Sequence, residues 1–328
     1  MLSLTNRCNL RCAMCEIPQN DSPELSTQEI KDLITDVARL GAECIVFSGG
    51  EPLLREDIFE LIAFARDNKI NSCLTSNGTM INESVAKRLL ASGVGAVNIS
   101  LDGPEHIHNS LRGEGNFNKA VAALETLSKS MIYTTIAMVL CRKNYEFMSY
   151  VVDLARKYNA GTVKFQPFNE IFLKNKLRKE EFFLTSAEFK DVQKEIKKAI
   201  KLANDYNIAA NPEPYLTAIA YYICRLKQRV PAGECRALFE SCAISAEGDV
   251  HLCWVRAEML LGNIKNKRFS QIWGSESHNS IRRFAMEENC RDCLMSCYDY
   301  NFERRGLSRL LLHKTRKYLK LLFRKHYP

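Results

Sequence analysis

Six short apolar runs alternating with amphipathic stretches leave the first half of this chain few folds to choose from. The runs at residues 1–4, 43–47, 70–75, 96–101, 133–140 and 162–166 have strand length and are bounded by turn residues. Segments with helical spacing separate them. The first of these carries a capping box of Ser26 with Glu29 and a staple of Leu25 with Ile30. Its apolar face is Ile30, Leu33, Ile34 and Val37, and Gly41 stops it. Helices are predicted likewise over 57–68, 83–91, 117–128 and 145–158. Strands and helices in strict alternation predict an α/β fold with a parallel sheet and right-handed crossovers. Ligands bind such sheets at the carboxyl ends of the strands, and this chain places its unusual loops there.

The loop after the first strand reads Cys8-Asn9-Leu10-Arg11-Cys12-Ala13-Met14-Cys15, a C-x3-C-x2-C spacing. Thiolates spaced this way converge on one centre, and soft sulfur selects iron–sulfur clusters or zinc. A structural zinc or an electron-transfer cluster takes four protein ligands. The next cysteine, Cys44, lies in an apolar strand-like run. A 4Fe–4S cluster on three cysteines leaves one iron open to a small molecule, and a zinc ion borrowing a distant ligand is the other centre these thiols could build. Thirteen cysteines with no export signal in view read as ligands in a reducing compartment, so a cytoplasmic location is expected. No uninterrupted apolar run approaches the roughly 18 residues of a membrane-spanning helix.

Three further loops follow strands. Ser48-Gly49-Gly50-Glu51-Pro52 follows the second, and its two glycines allow backbone to approach a ligand closely. Ser76-Asn77-Gly78-Thr79 follows the third and Ser100-Leu101-Asp102-Gly103-Pro104 the fourth. Taken alone, both are ordinary turn sequences. Together with the cysteine triplet these loops resemble the radical S-adenosylmethionine (SAM) superfamily. The resemblance implies a partial (β/α)6 TIM-like barrel, in which Cys8, Cys12 and Cys15 hold the catalytic 4Fe–4S cluster. It also implies that Ser48, Gly49, Gly50 and Glu51 bind the methionyl ammonium of SAM, and that Asn77, Ser100 and Asp102 contact its ribose and methionyl parts. His108-Asn109-Ser110-Leu111-Arg112-Gly113 is similar to a family stretch whose arginine, here Arg112, pairs with a carboxylate, and Asn109 stands where the family has Asp. Met14 stands where the family carries an adenine-stacking aromatic ring, and a thioether also packs on a π face. The His106-x-His108 pair reads as an exposed loop without a ligand role.

Six more cysteines crowd the C-terminal region: Cys235, Cys242, Cys253, Cys290, Cys293 and Cys297. Residues 244–250 read as a hairpin between Cys235 and Cys253, and Cys290-x2-Cys293 is a tight ligand pair. A zinc ribbon and a cluster site share this pattern. It resembles the SPASM/twitch auxiliary-cluster domain, which implies one further 4Fe–4S cluster on Cys235, Cys253, Cys290 and Cys293, with Cys242 or Cys297 as an alternative ligand. Cys44, Cys73, Cys141 and Cys224 sit in apolar contexts and read as core packing.

The expected divisions are a core barrel over 1–170, a helical connector over 171–214, the auxiliary-cluster domain over 215–303 and a basic tail over 304–328. Nine Lys and Arg fall in the tail with no carboxylate side chain; subtracting nine from the net charge of +8 leaves the rest at −1. The tail's helical period makes it a basic amphipathic helix, suited to a membrane surface, here the inner face, or an acidic partner, and equally to packing on the barrel. Nucleic acid is not expected, because aromatic platforms are missing among the charges. The resemblance implies reductive cleavage of SAM to a 5′-deoxyadenosyl radical that abstracts a substrate hydrogen atom. A low-potential donor such as flavodoxin or ferredoxin would supply the electron. Peptide or protein modification is the expected use, oxidation of a small, sugar or lipid-linked molecule the alternative, and a non-catalytic metal-binding scaffold the reading from another class.

Overall fold

The computed structural model describes residues 1–19, 22–173, 176–226, 237–255 and 258–287. Six strands form in chain order: β1 (Leu2–Thr5), β2 (Cys44–Gly49), β3 (Asn71–Ser76), β4 (Ala96–Ser100), β5 (Tyr133–Leu140) and β6 (Thr162–Pro167). They are joined through α1 (Thr27–Arg39), α2 (Ile58–Asp67), α3 (Glu83–Ser92), α4 (Glu105–Arg112), α5 (Asn116–Ser128) and α6 (Met148–Lys157). Each strand pairs in parallel with its neighbour in sequence, so the sheet is laid down in chain order. The local signals act as the sequence predicts. Ser26 and Glu29 close their reciprocal box at 3.2 and 2.7 Å, and Gly93 ends α3 in the left-handed region.

The outer face of the sheet is the core. Phe47, Leu74, Val97, Ile99, Ile136 and Val163 are fully buried beneath the helices, each contributing about 1.5–3 kcal/mol. The inner face differs. A parallel sheet packed on both sides reads as continuous apolar runs, whereas β3, β4 and β6 alternate between buried and half-buried residues. Their half-buried positions include Cys73, Thr75, Asn98, Ser100, Lys164 and Gln166. Small and polar side chains there leave the lumen hollow.

The sheet does not close. Beyond β1 it continues into β7 (Ala243–Ile244), β8 (Asp249–His251) and β9 (Leu260–Asn263). β7 runs parallel to β1 with Leu2 opposite Ile244, while β8 and β9 return antiparallel. The predicted hairpin is therefore joined directly to the first strand, through Ile244 N to Met1 O at 2.9 Å, and to the segment before α1, through Leu25 N to Ala246 O at 2.7 Å. Within 171–214, α7 (Phe189–Asp205) packs on α6, and Ala209 bridges Thr162 of β6.

Two expectations are corrected. The stretch bearing His106 and His108 is not an exposed loop but helix α4, with His108 fully buried. Cys44 is exposed and Cys73 half-buried, both on the inner face, because that face is not packed; Cys141 and Cys224 are buried as expected. Cys235, Cys290, Cys293, Cys297 and the tail 304–328 lie outside the described residues.

Candidate active site

A cavity of about 1860 Å³ runs through the lumen, from Cys8, Cys12 and Cys15 at the carboxyl ends of the strands to Gly41, Asn68 and Gly95 at the amino ends. The cysteine loop at its mouth is clamped from three sides. Glu24 accepts from Thr5 Oγ1 at 2.5 Å and from Asn6 N at 2.8 Å, with the guanidinium of Arg55 3.9 Å away. On the second side, Gly50 N donates to Thr5 O at 2.7 Å and Glu51 N to Arg7 O at 2.9 Å. On the third, Ala13 N donates to Leu111 O at 2.8 Å and Glu16 N to Phe172 O at 2.9 Å. The glycine pair is explained by these contacts. A Cβ on Gly49 would lie 2.3 Å from Thr5 O, and one on Gly50 would lie 2.2 Å from Arg7 O. The backbone that the glycines approach is the chain's own cysteine loop.

Each thiol sits in a partly buried, donor-rich setting. Burial pushes all three thiols above their ordinary range, Cys15 to about 11. Cys8 Sγ accepts from Leu10 N at 3.4 Å and faces Asn77 Nδ2 at 3.9 Å. The Arg112 guanidinium near Cys12 and the Ile17 backbone near Cys15 work against that burial and favour the thiolate. N–H donors aimed at sulfur favour the thiolate that ligates iron and tune the potential of a bound cluster.

The strand-end loops divide their labour. Ser48, Gly49, Gly50, Asn77, Ser100, Met14 and Arg112 line the cavity together with the thiols. Glu51 is fully buried and accepts from Ser76 Oγ at 2.9 Å, Asn77 N at 2.8 Å and Leu53 N at 3.3 Å. Burial raises its carboxyl to about 7. Asp102 is also fully buried; it accepts from Val139 N at 2.8 Å and pairs with Arg112. The carboxylate that Arg112 meets in this structure is therefore Asp102, and the pairing holds the guanidinium firmly protonated beside Cys12 and Cys15. His108 Nδ1 accepts from Asp102 N at 3.2 Å, and burial lowers its pKa to about 4, so the imidazole is neutral. Met14, 6% exposed, packs in an apolar cluster with Leu111, Phe168 and Phe182. Sequence reasoning missed Glu24, Arg55 and His108 because their partners are distant in sequence or sit on a helix it did not predict.

These residues fit a 4Fe–4S cluster on three thiols. Soft donors ring one end of a large cavity, and the carboxylates nearest them, Glu51 and Asp102, are engaged by their own donors. Among the described residues no three His, Cys, Asp or Glu side chains gather closely enough for a single metal ion, whereas a cluster spreads its ligands over separate irons. Cys253, one of the four cysteines expected to hold the auxiliary cluster, follows β8, and its neighbours Trp254 and Val255 line the same cavity.

Sequence comparison agrees with this geometry. The model of the radical SAM superfamily matches residues 2–155, and that of the SPASM iron–sulfur cluster-binding domain matches residues 235–294. An AdoMet-dependent heme synthase of Nitratidesulfovibrio vulgaris is 27% identical over 306 residues, 87% of this chain and 80% of that protein. The mycofactocin maturase MftC of Mycolicibacterium smegmatis is 37% identical over 161 residues, 48% of this chain and 41% of MftC. The chain thus spans less than half the length of this second relative. Among solved structures, Streptococcus suis SuiB bound to S-adenosylmethionine superposes with a TM-score of 0.70 at 18% identity, covering 86% of this chain and 67% of SuiB. From these matches and the thiol-lined barrel mouth, the chain belongs to the radical SAM superfamily and carries a SPASM iron–sulfur domain.

Proposed function

We propose that this chain cleaves SAM reductively and uses the resulting 5′-deoxyadenosyl radical to remove a hydrogen atom from a peptide or protein substrate held in the lumen. The observation that carries this reading is the hollow inner face of the sheet beneath Cys8, Cys12 and Cys15. At about 1860 Å³, the cavity exceeds the roughly 300–1,000 Å³ that enclose a drug-sized ligand. SAM and a peptide segment fit together in such a space. When bound, the cluster supplies the electron that breaks the sulfonium C–S bond, releasing methionine. The protein's own part is positional. Arg112, fixed by Asp102, presents a permanent cation at the mouth, and the clamped loop keeps the three thiols in one arrangement. Cys253 with Cys235, Cys290 and Cys293 would hold an auxiliary cluster, which would supply an acceptor for the electron left on the substrate once a second hydrogen has gone as a proton. A low-potential flavodoxin or ferredoxin supplies the first electron.

SuiB, solved with the precursor peptide SuiA, and MftC support the peptide reading. A second reading, oxidation of a tetrapyrrole, is supported by the heme synthases, which match this chain over most of both lengths. Among the described residues no helix is long and apolar enough to cross a membrane. The test is anaerobic reconstitution to about eight irons, two four-iron clusters, followed by SAM, dithionite and peptides encoded beside the gene or a porphyrin. Peptide-dependent 5′-deoxyadenosine with a mass change in the peptide supports the proposal. Dependence on porphyrin alone moves the assignment to the second reading. Tightly held zinc without SAM cleavage overturns both.

A further inference from the structure

Among the described strand residues that line the cavity, Lys164 is the one with a charged side chain. It occupies an inner-face position of β6, in the row where Ser100 pairs with Ala137 and Ala137 with Lys164. Gln166 stands two residues nearer the strand end, so the Lys164 backbone lies about 7 Å beneath it. Its neighbours across the sheet are small. Of the lining acids, Glu247 accepts from Asn6 Nδ2 at 2.6 Å, and Glu213 lies two residues beyond Asn211, which accepts from Phe165 N at 2.7 Å; neither these nor Glu43 and Glu258 form an ion pair with Lys164. No carboxylate among the described residues lies within ion-pair distance of Lys164.

A half-buried ammonium without a counter-charge costs free energy that a core residue such as Val or Leu would avoid. The neighbouring inner positions of β3, β4 and β6 hold small or neutral polar side chains such as Thr75, Asn98, Ser100 and Gln166, so the lining itself offers no reason for this charge. One ammonium beside amide side chains balances a single negative charge, which a carboxylate carries and a phosphate exceeds. We infer that Lys164 is a specificity-determining residue that pairs with a carboxylate of the substrate inside the lumen, an assignment that rests on the reading of the lumen as substrate chamber. The carboxylate of an acidic peptide and the propionate of a tetrapyrrole offer the same chemistry.

The test is equilibrium dialysis of the cluster-loaded full chain with SAM present, using probe pairs that differ only in the carboxylate. One pair is a degenerate peptide pool with a fixed central Glu against the same pool with Gln. The other is mesoporphyrin against its dimethyl ester. The wild type is expected to bind the acid of one pair about tenfold or more tightly than its neutral twin. Lys164→Met loses that preference and Lys164→Arg restores it, and whichever pair responds identifies the source of the carboxylate. Equal binding of acid and neutral twin by the wild type overturns the inference while leaving the chamber reading standing. A preference that survives in Lys164→Met overturns it, as does a tenfold loss of SAM affinity in that variant with the preference intact. Failure of every probe to bind the wild type overturns the inference and the chamber reading together.

Discussion

Replacing Gly50 by alanine tests why the glycine pair is there. The added Cβ would stand 2.2 Å from Arg7 O, 2.7 Å from Arg7 C and 2.8 Å from Asn6 O, all backbone atoms that no rotamer change can move. Restoring ordinary contact, 3.4 Å or more, displaces the cysteine loop by about 1 Å, comparable to the misplacement that costs on the order of a hundredfold in rate. Overpacking of this kind costs about 1–3 kcal/mol, and the two hydrogen bonds it loosens, Gly50 N to Thr5 O and Glu51 N to Arg7 O, add about 1 kcal/mol each. A loss of roughly 4 kcal/mol follows. With an unfolding entropy near 2.1 cal/mol/K per residue, the 328-residue chain loses roughly 1.5 °C of Tm per kcal/mol, so Tm should fall by roughly 6 °C. The assay is thermal melting of the cluster-free, SAM-free protein under anoxic conditions, paired with 5′-deoxyadenosine formation after reconstitution. An unchanged melt with weakened SAM binding alone would refute the reasoning, because the glycine would then serve the ligand rather than the loop.

Asp102→Asn leaves the Arg112 guanidinium, only 12% exposed, without its carboxylate; a cost of about 3–5 kcal/mol is expected, read as a lowered denaturant midpoint. Glu51 holds a proton in the folded state up to about pH 7 against an ordinary 4.5. Its contribution is therefore fully present below pH 4.5 and lost as pH rises through 7, at most about 3 kcal/mol by the linkage of 1.36 kcal/mol per pH unit. Glu51→Gln should remove that slope from urea midpoints measured across this window, and an identical slope in both proteins would contradict the burial argument. Glu24→Ala removes the acceptor for Thr5 and Asn6 and should lower iron retention during gel filtration severalfold, with retention equal to wild type counting against a clamping role.

Much of the barrel is legible from apolar runs long enough to be strands and from caps such as Ser26 with Glu29, which need no distant partner. Helix α4 is not. It has eight residues, and its buried positions include the polar His108 and Asn109, so no apolar stripe announces it. The ion pair of Asp102 with Arg112 is hidden for the same reason, since it forms only once that helix folds back on its strand. The hollow lumen is written at period two in Cys73 and Thr75, Asn98 and Ser100, Lys164 and Gln166, but polar alternation in a strand ordinarily marks a face turned to bulk solvent. Pairing of β7 with β1 joins segments some 240 residues apart, which no local pattern specifies. The motifs, by contrast, identify the thiol-bearing loop and the strand ends that line the cavity with it, because close backbone packing and soft ligation each tolerate few residue types.

The account stands on Cys8, Cys12 and Cys15 holding a cluster whose open iron takes SAM. The direct measurement is 5′-deoxyadenosine released by the anaerobically reconstituted, dithionite-reduced chain, compared with Cys12→Ala prepared alongside. The wild type is predicted to form it and Cys12→Ala to form none. Formation at the wild-type rate by Cys12→Ala, or none by a wild type carrying its full iron complement, would contradict the assignment.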